Sequence, residues 1–201
     1  MSGAAPVPEP VKRDHILVYF LAAPEDEDAC KDVHEFLSPV IRNSPIPIVI
    51  CSDYTIPPGE NVDAYKEQLF DADIVLAFGS KDFISNEDTY QRTQKVIIRY
   101  NDNKTMLLAI LVHNFFWKLP PFGLLKILPS NQQPIKNAKF WNSEDDAFTT
   151  VVEEIYKTIM DMISEAPPVS ADSGKPTVTC HSEATVLSSA DRDKNEQFTN
   201  Q

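Results

Sequence analysis

The chain has 201 residues, 42% of them hydrophobic and 24% charged, which is enough to build one core and too little for two comfortable domains. This composition excludes disorder throughout, and a formal net charge of -12 with pI near 4.7 disfavours a nucleic-acid backbone as partner. The expected organisation is an extended arm over residues 1–13, one domain over 14–163 and an unstructured tail over 164–201. The arm is marked by Pro6, Pro8 and Pro10, and the tail lacks either apolar period.

Ile16 to Leu21 is a continuous apolar run, the pattern of a strand covered on both faces. After Pro24, the acids Glu25 to Asp28 suit a helix N-terminus, and Val33, Phe36, Leu37, Val40 and Ile41 repeat at helical spacing. Ile46 to Cys51 reads as a second strand, placed at a sheet edge because Pro47 lacks an N-H. A loop from Ser52 to Gly59 precedes a helical pattern from Glu60 to Asp71, and Ile74 to Phe78 reads as the third strand.

A helix follows from about Asn86 to Tyr100, then a fourth strand from Met106 to Val112. His113 to Pro134 reads as an irregular packed loop with a short helix, Ala138 to Trp141 as a short last strand, and Ser143 as the cap of a long helix ending near Ile163. Strands alternating with helices predict a flavodoxin-like three-layer α/β sandwich: a five-stranded parallel sheet with helices on both faces.

Cys30, Cys51 and Cys180 form no C-x-x-C pair and are odd in number, which suits reduced thiols in a cytoplasmic protein. The chain has no apolar run of about 20 residues and no signal-peptide pattern, so no membrane partner is expected. His15, His34, His113 and His181 are isolated without metal spacing, and neither a G-x-G-x-x-G nor a Walker sequence occurs. Trp117 and Trp141 read as packing residues rather than stacking platforms. A phosphoryl-accepting receiver or a flavin carrier would need clustered acids with a late lysine, or a phosphate loop rich in Ser, Thr and Gly. Neither pattern occurs.

The loop Asp53-Tyr54-Thr55-Ile56-Pro57-Pro58-Gly59-Glu60 combines two prolines that fix their φ with a glycine that permits a turn. It is followed by Asp71-Ala72-Asp73-Ile74-Val75-Leu76 and by Ser80-Lys81-Asp82-Phe83-Ile84-Ser85. The series is completed by Pro121-Phe122-Gly123, Leu128-Pro129, Pro134-Ile135, Trp141 and Asp146-Ala147-Phe148. This series, over about 150 residues, resembles a bacterial-type TIR (Toll/interleukin-1 receptor-like) domain. The resemblance implies that Asp53, Ile56, Pro57, Pro58, Gly59 and Glu60 belong to a loop through which such domains pack on one another. The partner would be a second copy or another TIR protein, in signalling or innate immunity.

Many TIR domains also hydrolyse NAD with a glutamate on the helix after the third strand, where a carboxylate stabilises the positive charge that builds on the ribose. In this chain the corresponding register falls on Arg92, Thr93 or Gln94, and none is acidic. Glu87 and Asp88 are the nearest acids, and the plain reading is that they face the helix dipole. The pocket segment, Ser-Tyr-Ser-like in many bacterial members, reads Phe20-Leu21-Ala22-Ala23, so Phe20, Leu21 and Ala22 would line an NAD pocket without its hydroxyls. The resemblance thus implies a catalytically degenerate interaction module without a cofactor. The alternative is an NAD hydrolase of bacterial defence, NAD being its substrate, with a displaced carboxylate.

Overall fold

The computed structural model describes residues 14–165; the expected arm at 1–13 and the expected tail beyond Glu165 lie outside the described residues. Five strands, β1 (Ile16–Leu21), β2 (Ile48–Ser52), β3 (Ile74–Gly79), β4 (Met106–Leu111) and β5 (Lys126–Leu128), form one all-parallel sheet in the order β2-β1-β3-β4-β5. The helices are α1 (Glu27–Asn43), α2 (Val62–Glu67), α3 (Lys81–Ser85), α4 (Glu87–Asn101) and α5 (Glu144–Glu165). This is the flavodoxin-like three-layer sandwich that the alternating pattern predicts.

Each parallel strand splits its side chains by the two-residue period between two cores. Val18, Phe20, Leu76 and Phe78 pack with Val33 and Leu37 of α1 and Val151 and Ile155 of α5. Tyr19, Leu21, Val75 and Ala77 pack on the other face with Leu69, Phe83 and Val96. Burial on both faces removes the polar alternation of a one-sided sheet, which is why β1 reads as an unbroken apolar run.

Strand β2 is at the edge, as Pro47 requires. That residue sits just before the strand, where its carbonyl accepts from the Ile16 N-H at 2.8 Å and its missing donor leaves no gap. The long last helix begins where expected, with Ser143 Oγ accepting from the Asp146 N-H at 3.1 Å, and it runs to Glu165 rather than Ile163.

Three expectations need correction. The fifth strand is Lys126–Leu128, inside the stretch that reads as irregular loop, and Ala138 to Trp141 forms turns. Three residues are too few to display a period, while Trp141 is apolar because it packs on the core and donates through Nε1 to the Pro134 carbonyl at 2.9 Å. The pattern over Glu60 to Asp71 is a short α2 followed by a 3-10 turn at Gln68–Phe70. Ahead of α4, a separate short helix α3 is capped by Ser80 Oγ on the Phe83 N-H at 3.0 Å.

Candidate functional site

In an open parallel sheet, ligands settle beyond the carboxyl ends of the strands where the strand order reverses. Here β1 is flanked by β2 on one side and β3 on the other, and a cleft of about 380 Å³ opens beyond the ends of β1 and β2. Phe20 and Ala22 supply part of its apolar wall, Tyr54, Ile56 and Val62 another part, and Lys66, Asp88 and Thr89 its polar side. The volume is within the usual range for small-molecule sites.

Beside the cleft lies a bonded cluster drawn from three elements. Arg92 of α4 is 6% exposed and lays a fork on Asp53, with Nη1 at 2.5 Å from Oδ2 and Nη2 at 3.0 Å from Oδ1. Tyr19 of β1 donates its hydroxyl to Asp53 Oδ1 and accepts from Arg92 Nη2 at 2.8 Å, and the guanidinium carbon stands 5.5 Å from the centre of its ring. A planar guanidinium suits this arrangement because its donors are fixed in a fork that matches a carboxylate.

The electrostatics follow from that geometry. Burial pushes the Asp53 carboxyl up, but hydrogen bonds from Arg92 and Tyr19 and the guanidinium charge outweigh it and hold the group below its ordinary range. Burial, then the bond to Asp53, pushes the Tyr19 hydroxyl well above its ordinary value. Arg92 is favoured as a cation despite burial, because Asp53 offsets the desolvation. The cluster is therefore a neutral phenol and a committed ion pair.

Asp88 extends the cluster outward. Its Oδ2 is 3.5 Å from Arg92 Nη1 and 3.2 Å from Lys66 Nζ, so charges of alternating sign run from the loop after β2, across α4, to α2. The spacing of Asp88 and Arg92 on one helix face, four residues apart, was legible in the sequence; Tyr19 and Lys66 were missed because nothing local marks them.

The other expected residues separate into two groups. Phe20 and Ala22 line the cleft, whereas Leu21 is fully buried in the opposite core, as the alternation of a strand dictates. Asp88 lines the cleft; Glu87 is exposed and accepts from Gln91 Nε2 at 2.5 Å. Thr93 is fully buried and donates to the Thr89 carbonyl at 2.7 Å, and Gln94 is exposed on the helix.

In the loop, Asp53 and Ile56 also line the cleft, while Pro58, Gly59 and Glu60 are exposed. The Glu60 N-H donates to the Pro57 carbonyl at 3.2 Å, and Gly59 has φ +91°. Pro58 and Gly59 thus occupy the central positions of a type II turn, the one that favours proline first and needs a residue of positive φ second. The root of the loop is fastened as well, since Ser52 and Thr55 form a reciprocal capping box.

A second polar cluster, not anticipated, joins the turn after β1 to α3. Asp26 is 2% exposed; its Oδ2 accepts from Ser80 Oγ at 2.5 Å and its Oδ1 has no hydrogen-bond partner among the described residues. Burial pushes this carboxyl above its ordinary range, against the Ser80 hydrogen bond.

Among the described residues, no group of three or more His, Cys, Asp or Glu is arranged to hold a metal, and no helix is long and apolar enough to cross a membrane. In comparisons with known proteins, no family model and no curated protein matches this chain.

Proposed function

We propose that the chain is a TIR-like interaction module, working by association with a second copy or another TIR-like protein through the loop at Asp53 to Glu60, and that it does not hydrolyse NAD. The observation that carries this reading is Arg92. At Arg92, which with Thr93 and Gln94 makes up the three positions on which the resemblance places a catalytic glutamate, the chain has a buried cation whose guanidinium is engaged by Asp53 and Tyr19. A guanidinium paired with Asp53 offers no carboxylate to stabilise the positive charge that builds on a ribose as its bond to nicotinamide breaks.

The same contact supports the binding role. By tying Asp53 to α4, Arg92 fixes the root of a loop whose tip is stiffened by Pro57, Pro58 and the Gly59 turn. A loop ordered beforehand loses little entropy when a partner engages it. NAD is then neither substrate nor cofactor.

One observation favours a second reading, an NAD hydrolase of bacterial defence. Asp88 is an acid that lines the cleft, which Glu87 does not. Its carboxylate stands between Lys66 and Arg92, however, and an acid already balanced by two cations has less charge to offer a transition state.

The experiment is nicotinamide release by the purified chain at concentrations where light scattering registers assembly. No release from assembled wild type supports the interaction module. Release that disappears in Asp88→Asn establishes the hydrolase.

A further inference from the structure

The connection between β4 and β5 presents apolar side chains that the fold itself does not use. Phe116 is 71% exposed, Leu119 59% and Leu124 70%, all within nine positions. They stand on a fixed frame. Phe115 and Phe122 meet edge to face with ring centres 5.4 Å apart, the Gly123 N-H donates to the Leu119 carbonyl at 3.0 Å, and the Leu124 N-H donates to the Pro121 carbonyl at 3.2 Å. A Cβ on Gly123 would stand 2.2 Å from the Lys118 carbonyl oxygen, so glycine is what lets the loop close on itself.

Charge in this part of the chain is opposite to that of the whole. The net charge is -12, yet the stretch from His113 to Ser143 carries four lysines and no Asp or Glu. Lys136 is held by Asp32 and Glu144, and Lys126 donates to Thr158. Lys118 and Lys139 are exposed and without an ion pair among the described residues. Each has an aromatic neighbour. Lys118 Nζ stands 6.0 Å from the Trp117 ring centre, and Lys139 precedes Phe140, which is 52% exposed. The connection bearing Lys139 is stitched to the end of β4, where the Ile135 and Lys136 N-H groups donate to the Leu111 and Val112 carbonyls. Both lysines therefore belong to connections at the carboxyl end of the β4 and β5 side of the sheet.

Side chains that stand this clear of the fold have no socket around them, so a protein partner would have to supply all of the shape complementarity. A bilayer interface asks for none. It takes apolar tips into its upper hydrocarbon, seats aromatic rings at headgroup depth, and lets a lysine reach back to the lipid phosphates. At physiological salt charges act over about 8 Å, so lysines on an exposed loop answer to the surface they touch more than to acids across the sheet.

We propose that the loop bearing Phe116, Leu119 and Leu124, with Lys118 and Lys139, docks the chain on an anionic lipid bilayer surface. The inference is independent of the association proposed above, and it revises the expectation of no membrane partner. That no helix among the described residues is long and apolar enough to cross bears on spanning a bilayer; resting on one needs only exposed apolar side chains beside positive charge. Neither signal suffices alone, so the docking is reversible and requires both.

Flotation of the full chain tests it, with vesicles of phosphatidylcholine alone or with about 30% phosphatidylserine, and with circular dichroism confirming that each variant is folded. The wild type should float with the anionic vesicles and stay behind with the zwitterionic ones, and raising salt from about 50 to 500 mM should release it. Lys118→Gln and Lys139→Gln should each weaken binding about fivefold. Phe116→Ser with Leu124→Ser should abolish it although both lysines remain.

A wild type that ignores anionic vesicles, binds both compositions equally, or is matched by the serine pair overturns the inference. Loss of assembly in the serine pair, with a wild type that ignores vesicles, would assign the loop to a protein partner instead and overturn it as well. Each of these results leaves association through the Asp53 to Glu60 loop standing.

Discussion

Arg92 on α4 and Asp53 at the end of β2, 39 positions apart in the chain, are joined by a two-pronged contact at 2.5 and 3.0 Å that Tyr19 closes from the side. The pair links the helix where the resemblance expects catalysis to the root of the loop where it expects association. Removing the guanidinium leaves a part-buried carboxylate with only the Tyr19 donor. Arg92→Ala should therefore cost about 2 kcal/mol, below the ~3–5 kcal/mol of a fully buried pair, because Asp53 is partly exposed. Arg92→Lys should recover only part of this, since an ammonium cannot form the fork. Chemical denaturation of the two variants checks the order.

The same pair gives stability a sign in pH. Asp53 has a lowered folded pKa, so its contribution is present above the unfolded value, near 3.9, and is lost as pH falls through the folded one. A double-mutant cycle between Arg92→Ala and Asp53→Asn should show coupling at pH 7 that fades below pH 4. Coupling unchanged at pH 2 would refute the assignment.

Asp26 behaves in the opposite sense. Its folded pKa is raised, so its favourable contribution is complete below the unfolded value and is lost as pH rises through the folded one, where ionisation leaves a buried charge whose Oδ1 has no partner among the described residues. Asp26→Asn should raise the melting temperature relative to wild type at pH 7 and give no such gain at pH 3. Calorimetry at the two values separates this from a general packing effect.

Gly59 tests the loop without touching the core. A Cβ there meets nothing within 4 Å, so the constraint is its φ of +91° alone. Gly59→Ala should cost about 1 kcal/mol of local strain, and Gly59→Pro, whose φ is fixed on the other side, should abolish assembly while the melting temperature stays within a few degrees. Normal light scattering from the proline variant would remove the loop from the interface.

The four longer strands and the long helices were legible because apolar runs buried on both faces, helical spacing and caps are local signals: Ile16–Leu21 matches its expected bounds, and Ser143 caps α5. β5 was hidden because its three residues, Lys126 to Leu128, take their pairing from β4 and carry no period of their own. At the site, the sequence marked the loop at Asp53 to Glu60 and the helix bearing Asp88 and Arg92. It could not join Arg92 to Asp53 or bring in Tyr19, because those contacts exist only once β1, β2 and α4 converge. Leu21 fell to the opposite core for a similar reason: in a strand apolar on both faces, composition does not tell which side chain faces the cleft.

The most direct test of the central claim, association without NAD hydrolysis, is chromatography of nicotinamide released from NAD by the wild-type chain while light scattering follows its assembly in the same sample. The account predicts assembled protein and no nicotinamide above the enzyme-free rate. Nicotinamide released in proportion to the assembled protein, and absent with Asp88→Asn, would contradict it.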